Sequence, residues 1–549
     1  PSRKLADGAA QRPQGRTRMG ALQDHPLTSD RAAGLPAAAR ALLARASAAL
    51  DAHDLPAAEA ALDGVLAMLP DCAEALRMQG LVRHVRGDYV TAVAFLQRAR
   101  ALLPDDPLVR MNLATALFAA GEPAAAMAGL ERCCAKAPDF APAWFNLGKM
   151  YMLQQRPAGA ITALHRALDA EPGHVPARML LAQAQASLGA LGPAGDSYRA
   201  VLRLQPDLAD AWVGLADLET ASFGAADVAH LEQLLRSPLA SQRARVCLGF
   251  ALTRALEDQG DYAGAFRALR KANAQMYRAL AWKPAKSRAQ AQAMRRVFET
   301  RRTDAIDARL GEGMVFVVGM PQAGSLLTAQ VLAAHPAVAV VDESDAVEEV
   351  LKAETQRRQQ PRVQWMTQAT PADWQRLGRD YLARAEAARG RKACLVDRTP
   401  GNWRLVGAIL AMLPGARVVD SRRRALETCF ACYRQLFLDR HEFSYDLDHV
   451  TGYWSDYDAL CRHWRQLYPG RFLEHHYEAW RAEPALQVRR LLAFCALPFA
   501  PACVDVHGGG ERHAGSVDAL MRRDSERCAA YGVELKRLRA LLGMRTADA

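Results

Sequence analysis

The stretch VFVVGMPQAGSLLTAQVLAAHP, residues 315–336, decides the fold of the carboxyl-terminal half of the chain. Four apolar residues lead into a glycine-containing turn, and an apolar helical run follows. Gly319 and Gly324 match the first six positions of the nucleotide-binding pattern G-x-x-x-x-G-K-[ST], but Ser325 and Leu326 stand where its lysine and hydroxyl residue belong. The order strand, turn, helix predicts an anion site made of backbone N–H groups and a helix N-terminus.

Short apolar runs continue beyond this stretch and alternate with helical ones. Candidate strands occupy residues 314–318, 338–341, 393–397, 416–420 and 471–476. Such alternation predicts an α/β domain with a central parallel sheet and helices on both faces. Ligands of these folds bind at the carboxyl ends of the strands, where this chain has Asp342-Glu343, Arg398 and 421–423 (SRR). The plainer interpretation is that these are solvated loop charges.

The amino-terminal half repeats itself every 34 residues. Prolines mark the period at Pro70, Pro104, Pro138, Pro172 and Pro206. Small residues recur in the same register, at Gly87, Gly121 and Gly189 between helices and at Ala58, Ala92, Ala126, Ala160 and Ala194 within them. The pattern resembles the tetratricopeptide repeat (TPR), with aromatic starts at Trp144 and Trp212, although Gln155 replaces one turn glycine. An all-α solenoid whose concave groove binds a protein or peptide is therefore expected.

The length of 549 residues indicates a multidomain chain. Residues 1–35 lack periodic apolar positions and are predicted to be disordered, and Met19 is expected to lie nearer to a natural start than the first proline. Residues 36–280 are assigned to the TPR domain, 281–312 to a helical linker, and 313–549 to the α/β domain.

Composition excludes several classes of protein. The net charge of +11 is not concentrated in a lysine-rich tail or a basic-aromatic motif, so no nucleic-acid partner is expected. Eleven thinly spread cysteines and the lack of a signal-peptide segment favour the reducing cytoplasm. Apolar runs are too short to span a membrane. No metal is expected, because Cys429-x-x-Cys432 has no second cysteine pair and His475-His476 would face opposite sides of a strand.

Several motifs together resemble the bacterial TPR sulfotransferases, whose catalytic domain is like that of tyrosylprotein sulfotransferases. Residues 315–336 are similar to the family's VGMPRSGTTLxEQILxSHP, DRTPGN at 397–402 to its DKMPxN, and RRRALETCFACYRQLF at 422–437 to its RRDPLDTCLSCYRQLF. The likeness covers almost the whole chain. It implies a phosphate-loop-like sulfotransferase domain with 3'-phosphoadenosine 5'-phosphosulfate (PAPS) as the donor, a hydroxyl-bearing acceptor and no metal.

The resemblance explains the missing lysine, because the family's loop holds the phosphosulfate with backbone amides and hydroxyl residues. In this chain Gln322 replaces the family's arginine and Ala323 its serine, while Ser325 and Leu326 replace its hydroxyl pair. The residues that shape the turn are kept, namely Gly319, Pro321 and Gly324. The losses remove hydrogen bonds of about 1.5–3 kcal/mol for the charged group and ~1 kcal/mol for each neutral one.

Other donor-binding positions follow from the same resemblance. Arg423 matches the family's 3'-phosphate arginine, but the serine eight residues later is Ala431. Tyr477 resembles the tyrosine that lies against the adenine, and Ser516 matches a serine of the carboxyl-terminal donor segment.

The resemblance also assigns two catalytic roles. Glu343 aligns with the general base that takes the proton of the acceptor hydroxyl. Arg398 stands at the family's lysine, where a cation neutralises charge on the bridging oxygen of the leaving group. Arginine supplies that charge but does not readily donate a proton. Two structural interpretations stay open: Glu343 as an N-cap acid of a helix, and Arg398 as the partner of Asp397.

Two main hypotheses follow. The first is an active sulfotransferase whose repeats present a protein or peptide tyrosine, or another hydroxyl acceptor, to the catalytic domain. The second is a pseudoenzyme scaffold, catalytically weak or inactive, that binds protein partners through its repeats. A kinase or other phosphate-loop hydrolase is disfavoured, since no lysine follows Gly324 and no magnesium-binding acid is evident.

Overall fold

The computed structural model describes residues 29–218, 222–280, 282–300, 306–438, 441–504 and 525–544. The chain forms two compact units, Pro1–Thr220 and Ala221–Ala549. The first unit is helical throughout its described part, and the second contains the sheet.

Antiparallel helical pairs make up the amino-terminal unit. The helices are α1 (Ala37–Asp51), α2 (Leu55–Met68), α3 (Ala73–Val85), α4 (Tyr89–Leu102), α5 (Pro107–Ala119), α6 (Pro123–Lys136), α7 (Ala141–Leu153), α8 (Pro157–Ala170), α9 (Val175–Ser187), α10 (Leu191–Leu204) and α11 (Ala209–Asp217). Each pair packs on the next, as expected for a solenoid.

The 34-residue register is confirmed in three dimensions. The alanines at Ala58, Ala92, Ala126, Ala160 and Ala194 are fully buried where paired helices meet. The turn glycines between helices have positive φ, for example 83° at Gly87 and 92° at Gly121. Gln155 takes the same left-handed conformation with φ 56°, so the turn survives without its glycine.

One hydrogen bond recurs in four successive repeats and explains the aromatic helix starts. Trp144 and Trp212 donate from Nε1 to the carbonyl oxygens of the prolines six residues earlier, at 2.9 and 2.8 Å. Arg110 and Arg178 occupy the same repeat position and donate guanidinium N–H groups to the corresponding carbonyls, at 2.5 and 2.8 Å. Arginine thus replaces tryptophan because both carry an N–H donor on a long side chain.

The segment that is predicted to be disordered, residues 1–35, is described only from residue 29 onward. Residues Ser29–Ala32 form a 3-10 turn, and Arg31 pairs with Glu74 at 2.8 Å and with Asp106 at 2.5 Å. Glu74 is buried, so the turn is held by an ion pair with a fixed carboxylate. The pattern of apolar residues does not reveal such a contact. Residues 1–28 lie outside the described part.

Helices surround the sheet of the carboxyl-terminal unit. They are α12 (Ala225–Arg236), α13 (Gln242–Asp258), α14 (Tyr262–Ala279), α15 (Pro284–Val297), α16 (Ser325–Ala333), α17 (Ala346–Arg358), α18 (Arg362–Gln368), α19 (Pro371–Arg389), α20 (Val406–Met412), α21 (Ala425–Arg434), α22 (Leu447–Leu467), α23 (Tyr477–Ala482) and α24 (Pro484–Phe494). A helix at residues 525–530 and another at Lys536–Leu541 follow.

The sheet confirms the predicted α/β architecture. Its strands are β1 (Met314–Gly319), β2 (Val338–Asp342), β3 (Cys394–Arg398), β4 (Arg417–Arg422) and β5 (Phe472–His476). They lie in the order β2-β3-β1-β4-β5, and all neighbours are parallel. Val315 and Val317 pack in the core that includes α16 and α24, whereas Phe316 contacts Tyr381 of α19, so alternate side chains of β1 reach opposite layers.

The helices α13 and α14, which fall inside the TPR domain predicted at residues 36–280, pack within the carboxyl-terminal unit. Glu257 of α13 is 6% exposed and accepts two hydrogen bonds from Arg434 of α21, at 2.7 and 3.0 Å, and one from Tyr531 Oη at 2.7 Å. Asn273 of α14 donates to the carbonyl oxygen of Tyr433 at 3.0 Å. The compact units therefore separate before this pair, whereas the predicted domain limits at 280 and 312 stay predictions.

Candidate active site

Two glycines and one glutamine shape the loop after β1. Gly319 has φ 150°, and a Cβ there would lie 2.5 Å from the carbonyl oxygen of Ser421 on β4. Gly324 caps α16 in the left-handed region with φ 95°, and Gln322 has φ 63°. Glycine is required at 319 by the close approach of β4 and is favoured at 324 by its conformation. Both glycines therefore shape a tight turn between β1 and α16, although the side chains of the loop differ from those of the resembling family.

The loop side chains divide by exposure. Ala323 and Ser325 are buried, while Leu326 is 39% exposed. The carbonyl oxygen of Pro321 accepts a hydrogen bond from the thiol of Cys432 at 3.2 Å. Burial raises the pKa of the Cys429 thiol well above its usual value. Both cysteines therefore pack inside α21.

A buried hydrogen-bonded cluster lies beneath the first turn of α16. Thr328 Oγ1 is 2.9 Å from Ser421 Oγ, 3.2 Å from His475 Nδ1 and 3.3 Å from the carbonyl oxygen of Gly324. Burial lowers the pKa of His475 to about 4, so its imidazole is neutral at pH 7. This cluster joins the loop to the ends of β4 and β5, and the sequence pattern did not predict it.

Glu343 and Arg398, the two predicted catalytic residues, are neighbours at the ends of β2 and β3. The Glu343 N–H donates to the carbonyl oxygen of Arg398 at 2.9 Å, and the Glu343 carboxylate lies 3.9 Å from Arg398 Nη2. Arg398 Nε donates to Asp342 at 2.6 Å. Glu343 has φ 48° and an exposed side chain. A strained backbone of this kind is typical of functional turns.

Neither structural interpretation of this pair is supported. The N-cap residue of α17 is Asp345, not Glu343. Asp397 is fully buried and is bonded by Tyr381 Oη at 2.8 Å and by Thr399 Oγ1 at 2.5 Å, while Arg398 pairs with Asp342. Strand alternation explains the difference, because consecutive residues of β3 face opposite sides of the sheet.

Thr399 links the turn that carries Glu343 to the buried carboxylate of Asp397. Its hydroxyl lies 3.2 Å from the carbonyl oxygen of Ser344 and 2.5 Å from Asp397 Oδ1. The resembling family has methionine at this position, so the sequence comparison gave no sign of this polar link.

On the other side of β1, Arg423 is the centre of a second cluster. Its Nε donates to Glu427 at 2.9 Å and its Nη2 to Ser525 Oγ at 2.9 Å, and Ser525 Oγ donates to Glu427 at 2.8 Å. The guanidinium carbon is 5.6 Å from the ring centre of Tyr477. Arg423 and Tyr477, which the resemblance assigns to the donor site, therefore lie close together, and their role in donor binding stays a prediction.

Two predicted positions have a different outcome. Ser516 lies outside the described residues, and the described serine beside Arg423 is Ser525. Ala431 is buried in α21, eight residues after Arg423. Since Ser525 is far from Arg423 in sequence, no local spacing pointed to it.

A cavity of about 320 Å³ opens between this cluster and the loop after β1. Met320 and Ala323 line it on the loop side. Tyr477 is not among its lining residues, because its ring is 4% exposed and packs on Trp480 with ring centres 6.5 Å apart. The half-buried indole that lines the cavity is Trp454.

Three consecutive arginines border the cavity but differ in how closely acidic side chains pair with them. Arg422 is held by Asp420 at 2.6 Å and Asp458 at 2.7 Å. Arg423 is held by Glu427, as described above. Arg424 is 72% exposed and lies 3.7 Å from Glu427. Arg424 therefore offers the most accessible guanidinium at the cavity mouth.

Strand order arranges these groups around the loop. Because β1 lies between β3 and β4, the loop after β1 separates the Glu343–Arg398 pair from the Arg423 cluster. An acid, cations and backbone N–H groups thus face one edge of the sheet, where open α/β folds bind their ligands.

Comparison with known families agrees with this geometry. Residues 314–501 match the sulfotransferase family, and residues 43–107, 86–150 and 141–174 match tetratricopeptide repeats. The chain thus contains tetratricopeptide repeats and a domain that matches the sulfotransferase family. Its sulfotransferase-family domain contains all five strands, the loop and the Arg423 position.

The proteins similar to this chain include one relative in sequence and several TPR structures. An uncharacterised protein of Aquifex aeolicus (strain VF5) is 29% identical over 336 residues, which cover 58% of this chain and 43% of that protein. The chain thus spans less than half the length of this relative. The crystal structure of a thermophilic TPR protein from Thermus thermophilus is 22% identical, covers 33% of this chain and 100% of that chain, and has a TM-score of 0.30. The crystal structure of a TPR protein from Parabacteroides merdae ATCC 43184 is 18% identical, covers 43% of this chain and 93% of that chain, and has a TM-score of 0.31.

Two further properties concern only the described part of the chain. No helix there is long and apolar enough to cross a membrane. Nor do these residues contain a group of three or more His, Cys, Asp or Glu side chains placed to hold a metal ion.

Proposed function

We propose that the carboxyl-terminal domain transfers a sulfuryl group from PAPS to a hydroxyl acceptor. The observation that carries this proposal is the arrangement around the loop after β1, with Glu343 and Arg398 on one side and the Arg423 cluster on the other. A protein or peptide tyrosine is the acceptor that the family resemblance favours, and the TPR unit is proposed to bind the protein that carries it.

Donor binding is proposed to use both the loop and the cavity. Backbone N–H groups of Gln322, Gly324 and Ser325, at the start of α16, would hold the 5'-phosphosulfate. Arg423 and Ser525 would hold the 3'-phosphate, since they already meet at 2.9 Å. Trp454 lines the cavity and offers an aromatic face for the adenine.

Arg424 is proposed to compensate in part for the arginine that Gln322 replaces. The family motif has aspartate at the position of Arg424, so this chain exchanges an acid for a base at the cavity mouth. An exposed guanidinium near an anionic donor provides charge that the loop has lost.

The reaction is an in-line displacement at sulfur. Glu343 would accept the proton of the acceptor hydroxyl as its oxygen forms a bond to sulfur. The bond from sulfur to the bridging oxygen breaks, and 3',5'-phosphoadenosine leaves with the electron pair. Arg398 would neutralise the charge that develops on this oxygen. Because arginine holds its proton, the leaving group departs as the anion, and Glu343 later releases its proton to water.

The second candidate function is a scaffold without transfer activity. It is favoured by the loop side chains, since Ala323 faces the cavity without a hydroxyl group and Leu326 exposes an apolar side chain. In this case the TPR unit would bind protein partners and the sulfotransferase-family domain would contribute structure alone.

Two measurements separate these functions. Isothermal titration of the purified protein with 3',5'-phosphoadenosine tests donor binding, and no binding at millimolar ligand would contradict an active enzyme. Transfer of labelled sulfate from PAPS to proteins of a cell lysate tests catalysis. Transfer that disappears in Glu343→Gln would exclude the scaffold function.

A further inference from the structure

A second cavity lies in the TPR unit, far along the chain from the proposed donor site. It has a volume of about 430 Å³ and opens between α4 and α6, the second helices of two successive pairs. Leu113, Ala114 and Leu117 of α5 form its floor. This floor is apolar, so the cavity has a surface on which an apolar side chain can be buried.

The 34-residue register shows why space is left at this repeat. Gly129 lines the cavity on α6, and the equivalent positions are Phe95, Ala163 and Ser197. Each of those residues is larger than glycine. A Cβ at Gly129 would meet Ala114 Cβ at an ordinary 3.5 Å, and Gly129 has no positive φ. Glycine is therefore not required by the backbone at this position, and its effect is to keep the cavity open.

The rim of the cavity is basic. Arg110 and Lys136 share one carboxylate, that of Asp105, at 2.9 and 2.8 Å. Arg100 and Arg132 are exposed and have no hydrogen-bond or ion-pair partner within the described residues. Among the described residues that line the cavity, none carries a carboxylate. The cavity is thus lined by four cations, and the carboxylate of Asp105 pairs with two of them, Arg110 and Lys136.

We propose that this cavity binds an acidic peptide segment that places one apolar side chain on the floor. The carboxylates of the segment pair with Arg100 and Arg132, which have no other partner within the described residues, and the apolar side chain fills the space left by Gly129. Charge complementarity selects the peptide, and the floor gives a reason for binding beyond charge alone. A nucleic acid would use the cations but has no aliphatic group for the floor.

The test uses the full-length protein and a fluorescein-labelled peptide of sequence Glu-Asp-Glu-Leu-Glu-Asp-Glu, with binding followed by fluorescence anisotropy. We expect saturable binding that the double variant Arg100→Glu/Arg132→Glu weakens at least tenfold. Gly129→Leu should weaken it at least fivefold by filling the cavity. The Leu→Ser peptide should also bind at least fivefold more weakly to the unchanged protein.

Arg166→Glu is the matched control, because Arg166 occupies the repeat position of Arg132 but does not line the cavity. It should change the affinity less than twofold. Equal binding of the Leu→Ser peptide or of a seven-nucleotide DNA would overturn the proposal in favour of a charge-only surface. No binding at millimolar peptide would also overturn it. If circular dichroism shows that Gly129→Leu does not fold, the proposal is tested by the Arg100→Glu/Arg132→Glu variant and by the comparison of the two peptides. The outcome is independent of donor binding in the other unit.

Discussion

A backbone hydrogen bond of Glu343 and a contact of the Thr399 hydroxyl hold the turn of the proposed general base in place. The Glu343 N–H bonds to the carbonyl oxygen of Arg398, and Thr399 contacts the next residue of the same turn. A change of the Glu343 carboxylate therefore leaves these backbone contacts in position. This separation allows catalysis to be tested without loss of the fold.

The first prediction concerns Glu343→Gln. Glutamine keeps the size of the side chain but cannot accept the proton, so the transfer rate should fall by about 10²–10⁴-fold. The affinity for 3',5'-phosphoadenosine should change less than twofold, because Glu343 lies on the opposite side of the loop from Arg423. Labelled-sulfate transfer and calorimetry measure the two quantities. Loss of donor binding in this variant would show that the roles are not separated.

The second prediction concerns the buried imidazole of His475. Its folded pKa is about 4, below the ordinary value of ~6.5 in the unfolded chain. Between these values the unfolded chain binds a proton that the folded state excludes, so stability falls as the pH drops through this window. Once the pH is below the folded pKa of His475, the free energy of unfolding is lower by about 3 kcal/mol.

His475→Asn should remove this pH dependence. His165→Asn, which changes an exposed imidazole on α8 of the other unit, is its control and should leave the dependence unchanged. Urea unfolding of the carboxyl-terminal unit at pH 4.5 and 7, followed by hydrogen exchange of β5, measures the difference. An unchanged pH dependence in His475→Asn would contradict the assignment.

At the scale of elements, the donor loop combines a preserved backbone with altered side chains. Gly319 and Gly324 keep the turn, while Gln322 and Ala323 lack the groups that the family resemblance predicts. Donor affinity should therefore be limited by side chains that can be restored one at a time.

The third prediction is a gain of affinity in Gln322→Arg/Ala323→Ser. A charged hydrogen bond of about 1.5–3 kcal/mol and a neutral one of ~1 kcal/mol should strengthen binding of 3',5'-phosphoadenosine by at least tenfold. Gln322→Lys provides charge without the two-pronged geometry and should gain less. Calorimetry measures the affinities, and no gain in either variant would mean that the loop does not contact the donor.

Local sequence predicted the strands well because each strand has a short apolar run of its own. β1 was expected at residues 314–318 and is Met314–Gly319, and β5 was expected at 471–476 and is Phe472–His476. The turn charges at Glu343, Arg398 and Arg423 could be assigned to the edge of the sheet for the same reason, since parallel strands end together.

Partners that are distant in sequence could not be predicted from local patterns. Arg398 pairs with Asp342 rather than with its neighbour Asp397, because the side chains of β3 alternate between faces. Ser525 reaches Arg423 from near the end of the chain, and Glu257 joins the repeat-like α13 to α21. These contacts depend on which helices and strands pack together, and the local pattern of a single sequence does not predict that packing.

At the scale of the whole molecule, the buried carboxylate of Glu257 sets a lower limit for an independent catalytic unit. Arg434 and Tyr531 both bond to it, and Arg527 lies 3.5 Å away. Removal of α13 would leave these groups without their acceptor, and breaking a buried ion pair costs about 3–5 kcal/mol.

The fourth prediction compares fragments that begin at residue 222 and at residue 313. The longer fragment should unfold cooperatively and bind 3',5'-phosphoadenosine, because it retains α13 and α14. The shorter one matches the limit expected from sequence but lacks Glu257 and Asn273, so it should unfold at lower urea or aggregate. Urea unfolding followed by circular dichroism distinguishes them. Equal stability of the two fragments would show that α13 and α14 are dispensable.

Donor binding is the central claim, and calorimetric titration of the full-length protein with 3',5'-phosphoadenosine tests it most directly. We predict saturable binding at one site, weakened at least tenfold in Arg423→Gln because this change removes a charged hydrogen-bond donor of about 1.5–3 kcal/mol. Arg481→Gln, a charge change on α23 outside the cavity, is the control and should bind as the unchanged protein does. No detectable heat at millimolar ligand, or equal binding in Arg423→Gln, would contradict a PAPS-dependent sulfotransferase.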